Sequence, residues 1–179
     1  MPLDVYLGID PGWKNLGFSM AQYDTETTHI TLLHSQVFNI SGYKGITPAI
    51  KDIVATFIRY KPDNAIFRQL TIERFISYKN VDSAEFEIIN RIIGALDIYF
   101  NEALVPTYPT RLERAIDWKT SLVKALHIKS GFENPSETLD KKFSIAAGKA
   151  CLDEVPGKKM TDHEYDAVCL ACMPIFCKK

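Results

Sequence analysis

Two acidic side chains stand where a fold could use them for chemistry. Asp10 directly follows the apolar run at residues 5–9, and Glu73 directly follows the apolar run at residues 70–72. Short apolar runs of this kind are typical of buried strands. A carboxylate at the end of a buried strand is held on rigid backbone, where metal ligands and catalytic groups are placed most accurately. The ordinary alternative for the first of them is that Asp10-Pro11-Gly12 is only a turn.

A third acid lies in the polar cluster that begins the last apolar segment of the chain. Residues three or four apart on a helix share a face, so Asp166 lies beside both Asp162 and His163, while Glu164 points elsewhere. This cluster would put an acid at the start of a core helix. The alternative is a capping cluster, because acidic residues favour the N-terminal end of the helix dipole.

The first half of the chain contains the strands that must position these acids. Short runs bounded by polar or turn residues predict four strands, at residues 5–10, 17–21, 29–38 and 65–73. Helical spacing predicts a helix at residues 46–58, which stops before Pro62. A helix that joins two strands of one sheet makes a parallel crossover, so Asp10 and Glu73 can reach the same sheet edge.

The second half of the chain is predicted to be mainly helical. Apolar periodicity predicts helices at residues 81–104, 115–128, 136–151 and 161–176, with a short fifth strand at residues 103–108. These elements complete an α/β fold whose five-stranded mixed sheet has three antiparallel strands followed by two parallel ones. The helix at residues 81–104 is apolar on more than one face and must be covered on two sides. One cover is the sheet, and the other is a partner subunit or a further helix of the same chain.

Length and composition suit one domain that spans residues 1–179, because 46% of the residues are hydrophobic and can form a core. No stretch approaches the roughly 18 consecutive apolar residues of a membrane span. The N-terminus also lacks a signal segment, so we expect a soluble intracellular protein without membrane contact. Apolar surroundings predict reduced, buried thiols for Cys151, Cys169, Cys172 and Cys177. Cys169 and Cys172 lack the second pair that a zinc site needs.

The net charge of −1 argues against a protein that coats nucleic acid without specificity. Basic residues are nevertheless concentrated in the second half of the chain, at Arg111, Arg114, Lys119, Lys124, Lys129, Lys141, Lys142, Lys149, Lys158 and Lys159. This basic flank could face an anionic partner, or it could be an ordinary solvated surface.

Three motifs occur in a recognisable order: GIDPG with Gly17, the run ERFISYKNVDSA at residues 73–84, and HxxDA at residues 163–167. Together they resemble the RuvC-type Holliday-junction resolvases of the RNase H-like superfamily. The second motif is the most specific, because KN-x-DSA looks like that family's substrate-binding loop and the start of its dimer helix. Lys14-Asn15-Leu16 is closer to the viral and mitochondrial members. We therefore expect a phage or larger virus as the source and the host cytoplasm as the location, with a mitochondrial or nucleoid setting left open.

The resemblance implies a three-layer α/β/α fold with a nuclease site formed by Asp10, Glu73, His163 and Asp166. Members of this family hydrolyse phosphodiesters with two divalent ions per site, and oxygen ligands suit hard Mg²⁺, for which Mn²⁺ can substitute. The family's fourth position is an acid in some members and a histidine in others, as His163 is here. His163 would bind a metal, orient water or take a proton. Asp162 would replace it if the helix begins differently.

The resemblance also implies binding of branched DNA, above all four-way junctions, by a homodimer formed through the helix at residues 81–104. The matching DNA-binding positions are Lys14, Asn15, Arg74, Phe75, Lys79, Asn80, Arg114 and Lys119. Phosphate contacts would supply most of the affinity and make it fall steeply with salt. The family can place an aromatic residue three positions after the glutamate, whereas this chain has Ile76 there and Phe75 one position earlier.

Other classes of function remain open from the sequence. A hairpin with Asp-x-Gly also occurs in the actin-like ATPases and sugar kinases, but those proteins need two such domains and 179 residues hold one. The remaining alternatives are a related nuclease that acts on RNA or on non-junction DNA, and a junction-binding protein that does not cleave. No residue here decides between the DNA and RNA sugars.

Overall fold

The computed structural model describes residues 3–75, 82–130, 141–154 and 157–177. Within these ranges one sheet has the strand order β3-β2-β1-β4-β5. Its strands are β1 (Leu3–Asp10), β2 (Asn15–Tyr23), β3 (Ile30–Asn39), β4 (Ala65–Glu73) and β5 (Arg111–Glu113). β1, β2 and β3 pair antiparallel, while β4 is parallel to β1 and β5 is parallel to β4. The predicted mixed sheet is therefore confirmed.

Helices cover both faces of this sheet. They are α1 (Ile46–Tyr60), α2 (Ser83–Ile98), α3 (Ala115–Ser130), α4 (Lys141–Cys151) and α5 (Asp162–Phe176), and a π-helical turn, Tyr99–Ala103, continues α2. One buried apolar cluster joins the sheet to α1 and α2, and a second joins the opposite face to α3, α4 and α5. This arrangement is the predicted three-layer α/β/α fold. None of the helices in the described ranges is long and apolar enough to cross a membrane.

α5 lies directly on the sheet because two glycines remove the side chains that would separate them. A Cβ atom at Gly8 of β1 would overlap the carbonyl oxygen of Ala167, and one at Gly17 of β2 would overlap the carbonyl oxygen of His163. The helix begins at the N-cap Thr161, which forms the predicted capping box with Glu164. The close contact fixes the first turns of α5 above the central strands.

The fifth strand lies further along the chain than the sequence indicated. The prediction at residues 103–108 is wrong, because β5 is formed by Arg111–Glu113. Val105 has a positive φ of 45°, which a β-branched residue rarely adopts, and Pro106 has no N–H to donate to a ladder. Backbone N–H groups of Thr107 and Tyr108 still donate to carbonyl oxygens of β4, at 3.1 and 2.8 Å. Residues 107–108 therefore lie alongside β4 and donate hydrogen bonds to it, but the segment is not a strand.

The helix predicted at residues 81–104 is α2 with its π-helical turn, and Val81 lies outside the described residues. Most of its apolar side chains are buried against the sheet and α1, namely Ile89, Ile92, Ile93, Leu96 and Phe100. Ile98 is 59% exposed and Tyr99 is 38% exposed. The same chain therefore covers most of the apolar surface of this helix. The helix predicted at residues 136–151 is described only from Lys141 onward.

Candidate active site

Asp10 and Glu73 end two adjacent parallel strands, and their side chains therefore lie at the same edge of the sheet. Ile9 of β1 is in register with Ile72 of β4. The acids that follow them, Asp10 and Glu73, therefore lie side by side at the ends of the two strands. The preceding residues of both strands are fully buried. The rigid core of the sheet thus positions both carboxylates.

α5 brings an imidazole to the same edge. Nδ1 of His163 lies 2.6 Å from Oδ2 of Asp10. A neutral imidazole that donates from Nδ1 to this carboxylate has Nε2 as its acceptor. The pKa of His163 is raised because its ring is hydrogen-bonded to Asp10, an effect that outweighs burial. The first turn of α5 therefore places His163 in contact with Asp10.

A buried tryptophan holds Glu73. Nε1 of Trp118 in α3 donates to Oε2 of Glu73 at 2.8 Å. Burial raises the pKa of Glu73 to about 7, and the negative charge of Asp10 adds to this effect. Sequence patterns did not identify Trp118 as part of the site. The sequence indicates only that a buried indole N–H normally finds an acceptor, and it does not indicate which one.

Asp166 lies one helical turn after His163 and completes a group of three carboxylates. Burial raises its pKa to about 6, again with a contribution from the charge of Asp10. Its buried Oδ1 meets no hydrogen-bond partner at hydrogen-bond distance among the described residues, although the nearby hydroxyl of Ser144 opposes the rise in pKa, and Nζ of Lys119 lies 3.9 Å away. The carboxylates of the site therefore carry more negative charge than Lys119 can neutralise. They also have more acceptor oxygens than the neighbouring donors occupy.

The donor set of this site fits a divalent cation by its chemistry. Carboxylate oxygens are the ligands that hard cations such as Mg²⁺ prefer. Burial, together with the charge of Asp10, raises the pKa values of Glu73 and Asp166, so a cation bound between these carboxylates would stabilise their ionised forms. In the part of the chain that the structure describes, no three His, Cys, Asp or Glu side chains are already arranged as a metal site. Asp10 instead contacts His163 through Oδ2.

Some residues predicted to contact DNA lie around this edge. Lys119 is beside Asp166, and its Nζ also lies 5.0 Å from the ring centroid of Trp118. Lys14 and Asn15 are exposed between β1 and the body of β2. Lys119 thus lies at the carboxylate group, while Lys14 and Asn15 follow Asp10 along the chain.

The other predicted DNA contacts have different surroundings. Arg74 is exposed directly after Glu73, while Phe75 is half-buried and its ring packs on Phe86 with centroids 6.0 Å apart. Arg114 forms an ion pair with Asp117, with a hydrogen bond of 2.8 Å. Lys79 and Asn80 lie outside the described residues.

No protein-family model and no curated protein matches this sequence. Among solved structures, RuvC of T. thermophilus in complex with a Holliday-junction substrate is 20% identical, with 96% of this chain and 93% of that chain covered and a TM-score of 0.64. A further Thermus thermophilus RuvC structure has the same identity and coverage and a TM-score of 0.63. The fowlpox virus Holliday-junction resolvase is 12% identical over 93% of each chain, and its TM-score of 0.48 is too low to support a conclusion about the fold. The chain has the fold of RuvC, as its motifs predicted.

Proposed function

We propose that this chain is a divalent-metal-dependent endonuclease that cuts branched DNA and prefers four-way junctions. The observation that carries the proposal is the convergence of Asp10, Glu73 and Asp166, with His163, at one sheet edge of a RuvC-like fold. The three carboxylates are far apart in sequence, and each is held by a different element. Such a group fits phosphodiester hydrolysis better than it fits a purely structural role.

Asp10, Glu73 and Asp166 would hold two Mg²⁺ ions, or Mn²⁺ in their place. Bound ions of this kind activate a water molecule and neutralise the charge that develops on the phosphate. Trp118 holds one oxygen of Glu73, and the buried Oδ1 of Asp166 remains available as a ligand. The chain thus supplies oriented carboxylates before any substrate arrives.

His163 would handle a proton in this reaction. Asp10 fixes the ring through Nδ1, so Nε2 can accept a proton from a water molecule at the site. The side chain of His163 is 40% exposed, whereas that of Asp10 is 13% exposed, so the imidazole is the more accessible of the two. A base that is oriented by a carboxylate and open to solvent suits activation of water.

Basic side chains around the site would bind the phosphates of the substrate. Lys119 lies beside Asp166, and Lys14 and Arg74 are exposed at the ends of the strands that carry the acids. Such contacts are independent of base sequence and weaken as salt displaces the protein from the backbone. Selectivity would then come from the shape of branched DNA.

A homodimer would place two such sites on one junction, and each site would nick one of two strands of like polarity. Ile98 and Tyr99 are exposed on α2 and its π-helical turn, and a Cβ placed at Gly94 would lie more than 4 Å from the other described parts of the chain, apart from its own helix backbone. An exposed apolar pair beside an open glycine would allow a second copy of the helix to approach closely. Paired cuts matter because a single nick leaves a four-way junction unresolved.

A cleavage assay with end-labelled substrates tests the proposal. Four-way, three-way and linear DNA and an RNA hairpin are incubated with the protein in Mg²⁺, Mn²⁺, Ca²⁺ or EDTA. We expect symmetric nicks in the four-way junction with Mg²⁺ or Mn²⁺ and none in linear duplex. Cleavage of RNA alone would identify an RNA nuclease, and binding without cleavage in any metal would identify a non-cleaving junction-binding protein. Either result would contradict the proposal.

A further inference from the structure

Glu164 is a buried acid in the first turn of α5 whose two carboxylate oxygens are both occupied. Only 5% of the residue is exposed. Oε1 accepts from Oγ of Ser35 at 3.0 Å and from Nζ of Lys158 at 2.9 Å. Oε2 accepts from the backbone N–H of Thr161 at 2.9 Å and from its hydroxyl at 3.2 Å. One side chain therefore joins α5 to β3 and to the segment that precedes the helix.

The backbone of the same residue is attached to β2. Oγ of Ser19, which is fully buried, donates to the carbonyl oxygen of Glu164 at 3.1 Å. The missing side chain of Gly17 lets the neighbouring carbonyl group of His163 lie against β2. Two adjacent strands thus hold the first turn of α5 through one residue.

These contacts define one position for the turn. A buried carboxylate is costly to desolvate and is tolerated only where donors surround it. The donors around Glu164 come from Ser35 in β3, from Lys158 and from Thr161, so a shift or rotation of the helix start would break several of them together. The network therefore favours a single register of α5 against the sheet.

The first turn of α5 carries His163, and Asp166 lies one turn further along the same helix. Successive residues of a helix point about 100° apart, so Glu164 can face β3 while His163 faces Asp10. Asp166 lies three residues after His163, on the same side of the helix. We infer that Glu164 is a positioning residue, which holds His163 and Asp166 in place over Asp10 without touching the substrate. This inference rests on the proposed function only in assigning cleavage to His163 and Asp166.

Replacement of the side chain tests the inference. We expect Glu164→Ala to lower the turnover number for junction cleavage about 100-fold, because small displacements of catalytic groups have effects of this size. The dissociation constant for the junction, measured in Ca²⁺, should stay nearly unchanged. Glu164→Gln keeps an acceptor oxygen and can still complete the capping box, so it should restore most of the turnover.

Asp4 provides a matched control. It is a buried acid, 6% exposed, that pairs with Nε of Arg68 at 2.7 Å at the opposite end of β1. Asp4→Ala should lower the melting temperature as Glu164→Ala does, but it should leave turnover near the wild-type value at a temperature where both variants are folded. Equal losses of turnover in the two variants would overturn the inference, as would wild-type turnover in Glu164→Ala.

A second variant and a second readout decide the matter if Glu164→Ala does not fold. Ser35→Ala removes one donor from β3 and should lower turnover about tenfold, the scale of one hydrogen bond to a charged group. The ring nitrogens of His163, followed by NMR without metal or DNA, should lose the signature of the hydrogen bond to Asp10 in the Glu164 and Ser35 variants and keep it in Asp4→Ala. An unchanged His163 signal in Ser35→Ala would overturn the inference. If the wild-type protein cleaves nothing, the proposed function fails, and the NMR result still decides whether Glu164 positions His163.

Discussion

Nε1 of Trp118 donates a hydrogen bond of 2.8 Å to Oε2 of Glu73, so a fully buried indole in α3 fixes the carboxylate at the end of β4. This bond favours the ionised form of Glu73, in opposition to the burial that raises its pKa. Trp118 therefore does more than fill the core between the sheet and α3. It keeps a carboxylate both oriented and easier to ionise.

Trp118→Phe should weaken metal-dependent cleavage while keeping most of the buried ring. We expect the activity, or the apparent affinity for Mg²⁺, to fall about 10- to 100-fold, the usual effect of losing a group that orients a metal ligand. The measurement is the cleavage rate as a function of Mg²⁺ concentration at constant pH. Junction binding in Ca²⁺ is the control and should not change. A wild-type Mg²⁺ dependence would show that the hydrogen bond to Glu73 does not matter for catalysis.

Asp10→Asn, Glu73→Gln and Asp166→Asn should each abolish Mg²⁺-dependent cleavage and leave junction binding intact. Each change removes one charged oxygen ligand, while the shape of the side chain is kept. Binding can even tighten, because a negative charge next to a phosphate is lost. Asp4→Asn, a buried acid at the other end of β1, is the control and should cleave normally. Wild-type cleavage by any one of the three site variants would remove that residue from the proposed site.

The contribution of Glu73 and Asp166 to the stability of the metal-free protein should fall as the pH rises from about 4 to 7. The pKa of Glu73 is raised from 4.5 to about 7 and that of Asp166 from 3.8 to about 6. Since both values exceed those of the unfolded chain, the folded state binds more protons across this range, and stability is lost as they dissociate. Each pKa unit corresponds to about 1.4 kcal/mol of unfolding free energy.

Chemical denaturation at several pH values measures this dependence. Mg²⁺ should raise the midpoint more at about pH 8 than at about pH 5, because its ligands must be ionised. The double variant Glu73→Gln, Asp166→Asn should lack this loss of stability. A double variant whose stability gains as little as the wild type, or less, between pH 4 and 7 would contradict the prediction.

His163→Ala should lose most of the cleavage rate, whereas Asp162→Ala should keep it. The hydrogen bond with Asp10 raises the pKa of His163 above 6.5. As the pH drops through this raised value, the neutral imidazole becomes protonated and the cleavage rate should fall. His163→Asp should keep appreciable activity and move the acid limb of the profile to lower pH. The profiles are measured with saturating metal. A nearly normal His163→Ala together with an inactive Asp162→Ala would identify Asp162 as the fourth site residue.

Ile98→Asp should convert a dimer into a monomer that nicks one strand at a time. Ile98 is 59% exposed on α2, and a charge there would be buried in the proposed interface. Ile58→Asp is a matched control, because Ile58 is 60% exposed on α1. Sedimentation at micromolar concentration and a cruciform-plasmid assay, which distinguishes single from paired nicks, are the measurements. A wild-type monomer that makes paired nicks would contradict the dimer proposal.

Sequence patterns predicted the mixed sheet and the parallel crossover between β1 and β4 because the periodicity of these strands and the helix between them leave few topologies. They failed where a single backbone angle decided the outcome, as at Val105, whose positive φ keeps residues 103–108 out of the sheet. β2 was predicted too short, at residues 17–21, because polar Asn15 and Gln22 interrupt the apolar pattern although both pair in the ladder.

The acids at the strand ends could be recognised from their position in the chain, since strand periodicity alone brings Asp10 and Glu73 to one edge. The groups that support them could not. Trp118 reaches Glu73 from a helix that is 45 residues away in sequence, and Ser35 reaches Glu164 across 129 residues. Such contacts depend on how layers stack, and local periodicity contains no information about that.

The placement of α5 on Gly8 and Gly17 also has a consequence for biosynthesis. Asp10 and His163 are 153 residues apart, so the site cannot be assembled before α5 has been synthesised. At about 5–20 residues per second, a ribosome needs about 8–30 seconds to synthesise the intervening segment. During that time the growing polypeptide carries the N-terminal strands but lacks the helix that completes the site. If the chain has the proposed function, a nascent chain would therefore cleave no DNA until α5 has docked on the sheet.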